Sequence, residues 1–355
     1  MVVFVVTIIL VIILAGVTVR MVIGDNGIIK KSKETVDEFG RFVGQQQAYI
    51  DGKDEELKTG IDPITTENLK KFITEWTVEA GDEITLPLVN DAAYSYNFDV
   101  DYGDGTVVHV SSATDENRKH KYKESRTYTV KISGTCECWS FNDIADSKLK
   151  ITKLNQWGEV GVKIINFNQC SNLGGTIPIP TPNSLKYSNN LSLLFNECSN
   201  LTGEIPNNLL YNCNNTGKFY RLFYGCSGLT GSIPEDLFKD CINATNLGAI
   251  FFHCTGLTGE IPEDLFKNCS RVSNFQSTFY NCTGLIGEIP EDLFKNCINV
   301  EIFNYTFYNC TGLIGNVPDL WNIEKYPNVT EHTQCFRSMS STNITNYSSI
   351  PDGWK

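Results

Sequence analysis

The sequence predicts a multidomain α+β protein in which an apolar N-terminal helix, a β-sandwich and a C-terminal solenoid follow one another. Three features of the 355 residues predict this order. An uncharged apolar run opens the chain, hydrophobic and polar residues then alternate, and finally one cysteine-bearing phrase returns every 28 residues. We place the helix and a helical stalk at residues 1–58, the sandwich at 59–150 and the solenoid with a C-terminal cap at 151–355.

The first 19 residues, MVVFVVTIILVIILAGVTV, carry no charge and are mostly aliphatic. A helix of that length rises about 1.5 Å per residue and comes close to the roughly 30 Å of a bilayer core. We therefore predict a single-pass transmembrane helix at residues 1–19, followed by an amphipathic stalk. Four basic residues follow the helix and favour a cytoplasmic position for that side: Arg20, Lys30, Lys31 and Lys33. A basic leader ahead of the helix would reverse that bias, and we expect the C-terminal domains at the cell surface.

From about Trp76 the hydrophobic period changes to two, and EITLPLV, YSYNFDVDYGDGTVVHV and RTYTVKISG are typical of strands bounded by turns. The acids Asp99, Asp101 and Asp104 raise the alternative of a calcium site. An EF-hand loop, however, needs a glycine at its sixth position and an acid at its twelfth, where Asp104 and Val110 stand. A tight turn is the favoured interpretation.

The 28-residue period is strictest in two series of cysteines. These are Cys170, Cys198, Cys226, Cys254, Cys282 and Cys310, and then Cys213, Cys241, Cys269 and Cys297. Phenylalanine, leucine and isoleucine positions keep the same step, which indicates a solenoid whose units cover one another. Within each unit, IPEDLFKNC places proline first, acids next and lysine near the end, the order that favours a short helix.

The repeated cysteines allow three interpretations. Buried, unpaired thiols that act as small hydrophobic groups are favoured, because parallel side chains on stacked units make a disulfide dihedral hard to satisfy. Disulfides between stacked units and a zinc site are the alternatives, although zinc needs four ligands that converge on one point.

Three segments resemble known families. The phrase F-x-x-C-x-x-L-x-G-x-I-P resembles leucine-rich repeats, and the pattern from about residue 165 onward resembles the BspA-type leucine-rich repeat surface proteins of anaerobic bacteria. DYGDGT followed by HKYKESRTYTVKI resembles the PKD-like, immunoglobulin-like β-sandwich, and VTIILVIILAGVTVRMVIGDNGIIKKSKE resembles the N-terminal helix of type IV pilin-like proteins. The first resemblance implies adhesion, and the last implies packing of the helix in a membrane or filament core.

Composition and motifs narrow the function. A formal charge of −12 and a pI near 4.9 argue against a nucleic-acid partner. The sequence carries none of the common catalytic or phosphate-binding motifs, so we expect no enzyme activity, no cofactor and no bound metal. Three pairs of acids recur with the repeat, and they form either a binding surface or an ordinary solvated face with ion pairs: Glu235 and Asp236, Glu263 and Asp264, Glu291 and Asp292.

Together these observations predict a membrane-anchored bacterial cell-surface protein whose solenoid binds a host or neighbouring-cell protein or glycan, in the manner of an adhesin. The alternative is a structural subunit of a type IV pilus-like filament that assembles through its N-terminal helix.

Overall fold

The computed structural model describes residues 70–339 and 342–355, which belong to one compact unit. They form nine strands: β1 Phe72–Val78, β2 Glu83–Thr85, β3 Tyr96–Asp101, β4 Val107–Val110, β5 Lys119–Lys121, β6 Arg126–Cys136, β7 Cys138–Ser140, β8 Ile151–Gln156 and β9 Ile164–Asn166. The helical segments of this described part are three single 3₁₀ turns, at Glu116–Arg118, Tyr347–Ser349 and Asp352–Trp354.

The predicted α+β class is therefore wrong for the part of the chain that the structure describes, which consists of strands and turns. Between residues 70 and 355, the described positions include no helix that is long and apolar enough to cross a membrane. This finding corrects the prediction of a single-pass membrane protein. That prediction included a transmembrane, pilin-like helix and C-terminal domains at the cell surface. Residues 1–58, on which that prediction rested, lie outside the described residues.

An antiparallel sheet with the order β4-β3-β6-β1-β8 occupies the N-terminal part of the described chain. The central strands bury alternate side chains, such as Trp76 of β1 and Val130 of β6, as the period-two pattern predicts. The short pair β2 and β5 forms a second sheet. The strand β8 lies just after residue 150, where the sandwich was predicted to end, and pairs with β1 along its length.

From β9 onward the chain winds into stacked units of about 28 residues, which we call the coil stack (residues 164–339 and 342–355). Its first strand, β9, pairs in parallel with β7, which precedes the coil stack. Single parallel bridges then join equivalent positions of successive units: Ile164 to Asn190, Asn190 to Lys218, Lys218 to Asn246, Asn246 to Asn274, Asn274 to Ile302 and Ile302 to Glu331. A second row of bridges includes Gly203 to Leu229 and Gly287 to Leu313.

The predicted leucine-rich repeat solenoid with a helix in each unit is wrong as well, because the phrase IPEDLFKNC forms linked turns. In one unit the amide of Leu237 donates to the carbonyl of Pro234, and the amide of Cys241 donates to that of Phe238, at 3.2 and 3.0 Å. The spacing of the units explains the difference. The rings of Phe238 and Phe266, equivalent residues of neighbouring units, have centroids 5.8 Å apart. Packed α-helices need about 8–10 Å between their axes, so a helix in every unit does not fit.

A column of phenylalanine rings fills the interior of the coil stack, with adjacent centroids 5.3 to 6.0 Å apart: Phe167, Phe195, Phe223, Phe251, Phe279, Phe307 and Phe336. Because each ring packs against the ring of the next unit, the column depends on every unit keeping the same register. Burial of such rings contributes much of the stability of a repeat protein.

The thirteen cysteines are all buried and unpaired, which confirms the favoured interpretation. They also form hydrogen bonds that the sequence did not predict. The thiol of Cys254 donates to the carbonyl of Phe223 at 3.0 Å, and the thiol of Cys282 donates to that of Phe251 at 2.9 Å. The same bond joins Cys198, Cys226 and Cys310 to the carbonyl 31 residues earlier. Each thiol therefore ties its unit to the preceding one.

The far end of the coil stack is covered by residues 351–355. The ring of Trp354 stacks on that of His332 with centroids 4.5 Å apart, and its carbonyl accepts from the amide of Phe336 at 2.8 Å. The last phenylalanine of the interior column is thereby covered, as the terminal unit of a repeat array requires.

The close approach of the units makes a glycine necessary at Gly228. A Cβ there would lie 2.5 Å from the carbonyl oxygen of Leu201 and 2.8 Å from that of Ser199. We expect Gly228→Ala to lower the free energy of unfolding by on the order of 1–3 kcal/mol, because the units must separate to admit the methyl group. Urea unfolding checks this. The control is Gly217→Ala, where the nearest atom would lie 3.5 Å away; equal losses in the two variants would contradict the prediction.

Buried thiols also predict alkaline sensitivity. Burial raises the pKa of Cys269 and Cys310 to about 12, from an ordinary value of 9.0. The folded state therefore keeps protons that the unfolded chain releases, so the contribution to stability is complete below pH 9.0 and declines as the pH rises toward about 12. Unfolding midpoints measured across this range should fall. A Cys310→Ser variant should show a shallower fall; an unchanged slope in that variant would count against the prediction.

Candidate functional site

The predicted acids lie around a groove of about 890 Å³ on the coil stack. Glu235, Glu263, Glu291 and Asp292 line it, together with the prolines that open the repeated phrase and two further acids, Glu260 and Glu288. The structure thus brings the three glutamates and Asp292 of the predicted set together, whereas Asp236 and Asp264 lie outside the lining.

The aspartates of the three pairs are neutralised locally. Lys239, Lys267 and Lys295 lie 3.3, 3.1 and 3.2 Å from Asp236, Asp264 and Asp292, respectively. Each lysine therefore pairs with the second acid of its unit, three positions before it. The hydrogen bond with Asp264 raises the pKa of Lys267. Exposed pairs of this kind are typical of a solvated face.

Metal binding has no obvious site in this part of the protein. Among residues 70–339 and 342–355, no three His, Cys, Asp or Glu side chains converge in a way that could hold an ion. The acids Asp99 and Asp104, once compared with a calcium loop, contact histidines instead: Asp99 lies 2.8 Å from His109, and Asp104 lies 2.8 Å from His120.

A second groove, which the sequence reasoning missed, is built from aromatic rings. Tyr224, Phe252, Tyr280 and Tyr308 stack in a row that we call the aromatic ladder. Successive ring centroids are 4.3, 4.4 and 4.5 Å apart, and successive ring planes are tilted by 5°, 13° and 2°. All four side chains are half-buried on the outside of the coil stack.

The alignment of successive units determines the positions of these rings. Each ladder residue follows a phenylalanine of the interior column, so its side chain leaves the core where the preceding one enters it. Main-chain bonds fix the spacing on both sides: the amide of Phe251 donates to the carbonyl of Thr278, and the amide of His253 donates to that of Tyr280, at 2.9 and 2.8 Å. Any side chain that recurs every 28 residues therefore stacks on its equivalent.

Beside the ladder lies a hollow of about 480 Å³, and we call the hollow with its lining the aromatic groove. Its lining is formed by Tyr220, Arg221, Tyr224, Ala249, Phe252, Gln276, Ser277, Tyr280, Tyr305, Tyr308 and Gln334. One row of equivalent positions explains its shape, because Ala249 and Ser277 are small while Arg221 and Tyr305 on either side of them are large. All four have a positive φ, between 54° and 59°. The missing side-chain volume at the two central units is the space of the groove.

Arg221 stands at one end of the aromatic groove. Its guanidinium carbon lies 4.6 Å from the ring centroid of Tyr224 and 5.2 Å from that of Tyr220. Its Nε atom is buried and has no hydrogen-bond partner in the described part of the chain. No acidic residue belongs to the lining described above. The groove therefore contains one positively charged side chain, that of Arg221, and no acidic lining residue balances its charge.

The arrangement is suited to binding. The inner rings of the ladder cover one another's faces, so they present edges and phenol groups to the hollow. Ring edges carry partial positive charge, and phenols and amides form hydrogen bonds. His253 lies beside the ladder, with its Nδ1 2.9 Å from Nδ2 of Asn281. The recurrence of Tyr or Phe at residues 224, 252, 280 and 308 was the sequence signal for this site.

The ion pairs beside the acidic groove should contribute little to stability. We expect Asp264→Asn to change the free energy of unfolding by less than about 0.5 kcal/mol, because both partners reach solvent. Chemical denaturation compares the variant with the wild type, and Asp236→Asn serves as the equivalent in the neighbouring unit. A loss above about 1 kcal/mol in either variant would show that these acids support the fold and are more than a solvated face.

Comparison with known proteins leaves the chain without an assigned family. No family model matches it, and neither a curated protein nor a solved structure shows significant similarity to it. The resemblance of its segments to BspA-type repeats and PKD-like sandwiches stays a prediction, whereas the pilin-like helix is among the predictions corrected above.

Proposed function

We propose that this protein is a glycan-binding protein and that the aromatic groove is its ligand site. The observation that carries the proposal is the groove itself, a hollow of about 480 Å³ lined by stacked rings, amides and one arginine. Apolar and aromatic walls with a few placed polar groups are the usual composition of small-ligand sites.

Rigidity supports binding at this groove. The rings of Phe252 and Tyr280 are held on both sides by equivalent rings, and their units are joined by main-chain hydrogen bonds. Aromatic side chains that are already ordered lose little conformational entropy when a ligand arrives, so more of the contact energy becomes affinity.

The size of the groove favours a glycan over a folded protein partner. Small-ligand sites measure about 300–1,000 Å³, whereas a stable protein interface buries about 800 Å² on each partner. The hydroxyls of a short oligosaccharide would meet Gln276, Gln334 and the tyrosine phenols, while its C–H surfaces would contact the exposed ring edges. The proposed source of the glycan is a host or neighbouring cell, so the proposed function is adhesin-like. The filament alternative depends on residues 1–58, which lie outside the described part of the chain.

Filling the groove tests the proposal. Ser277→Tyr introduces the residue that already occupies the equivalent position at Tyr305, where φ is 58° against 56° at Ser277. The backbone should accept it, and the new ring should occupy the hollow. We expect glycan-array signals and calorimetric affinities of the full chain to fall at least about tenfold, a change of about 1.4 kcal/mol.

The control variant is Tyr211→Ala, which removes a tyrosine that is 49% exposed and lies outside the groove lining. It should bind as the wild type does. Glycan binding that survives Ser277→Tyr in a protein with unchanged thermal unfolding would contradict the proposal, as would a full chain that binds no glycan on the array.

A further inference from the structure

We infer that the ligand is an acidic glycan whose carboxylate pairs with Arg221. This inference rests on the proposed function and names the ligand class for the same groove. The juxtaposition that carries it is a guanidinium without an acid partner, in contact with two tyrosine rings at the end of a ring-lined hollow.

The state of Arg221 is unusual for a partly buried arginine. A guanidinium stays charged at any ordinary pH and has five N–H donors, and removing such donors from water without a partner costs free energy. In this structure the Nε atom is shielded from solvent, and no hydrogen bond or ion pair to the side chain forms among the described residues. Contact with the rings of Tyr220 and Tyr224 offsets part of the cost and fixes the orientation of the guanidinium.

A carboxylate complements this group. The planar fork of an arginine matches the two oxygens of a carboxylate, and the resulting pair of charge-assisted hydrogen bonds is stronger than neutral ones. A neutral sugar hydroxyl would satisfy a single donor and leave the charge uncompensated. The phenol groups and the positive ring edges along the ladder add further attraction for an anion.

The distribution of charge points the same way. The whole chain has 41 acidic and 29 basic residues, and acids crowd the other groove of the coil stack. The lining of the aromatic groove contains Arg221 and no acid. Glu197, in the row next to the ladder, lies outside that lining. An anionic ligand thus meets local attraction on a molecule whose net charge is −12.

The position of Arg221 also sets the orientation of the ligand. Arg221 and Tyr305 are equivalent residues three units apart, which at about 4.8 Å per unit is roughly 14 Å. The charged sugar would lie over Arg221, and the following sugars would extend past Ala249 and Ser277 toward Tyr305 and Gln334. A short linear oligosaccharide with an acid near one end fits this site.

Matched glycan pairs test the inference on the full chain. The array carries uronate oligosaccharides beside their methyl esters, and sialylated glycans beside their desialylated forms. We expect at least one acidic member to bind ten times more tightly than its neutral partner, and added salt to weaken only the acidic one. Arg221→Gln should reduce acidic binding at least tenfold and so remove the preference for the acidic member of each pair, while Arg221→Lys should restore part of it.

Arg271→Gln is the control, because Arg271 is an exposed arginine of the coil stack outside the groove. One contrary result is that acidic and neutral glycans bind equally tightly and Ser277→Tyr weakens the binding of both. That result would overturn the inference and leave the proposed function standing. Acidic binding that Arg221→Gln does not affect, in a variant with unchanged thermal unfolding, would also overturn it. Absence of all glycan binding would refute both proposals.

Discussion

The register between successive units is the constraint on which the rest of the structure depends. Main-chain amides donate from one unit to the next, as from Phe223 to Ile250 and from Phe279 to Thr306, both at 2.9 Å. Buried thiols donate in the opposite direction, from each unit to the one before it. These bonds leave each residue facing its equivalent 28 positions away. Ring columns inside the coil stack and the aromatic ladder outside it are consequences of the same alignment.

Polar residues obey this register as strictly as apolar ones do. The amide groups of Asn268 and Asn296 donate to the carbonyls of Lys239 and Lys267 in the preceding unit, each at 2.8 Å, and Asn243 donates to Asn214 at 2.7 Å. A turn-rich chain has few ladder hydrogen bonds, so side chains must satisfy many of its carbonyls. The repetition of asparagine in the sequence therefore has the same cause as the repetition of cysteine.

Sequence reasoning succeeded where a feature depends on the period alone. The buried cysteines and the alternating pattern of the first sheet follow from spacing and hydrophobicity. It failed for IPEDLFKNC, because the local order of proline, acids and lysine favours a helix while the distance between units, a tertiary quantity, forbids one. The aromatic groove was missed for another reason. The groove exists because Ala249 and Ser277 are small where the equivalent residues Arg221 and Tyr305 are large. A pattern of recurring residues does not reveal a position at which the residue varies.

The two ends of the coil stack are covered differently, by β7 at the start and by the Trp354 segment at the finish, and the units between them repeat one another. The middle is thus modular: duplication or loss of one 28-residue phrase would lengthen or shorten the ring-lined hollow by a single step without disturbing either closure. The near-identical sequences of neighbouring units favour such duplications and losses by recombination. Descendants of this chain could in this way acquire sites for longer or shorter ligands in discrete increments.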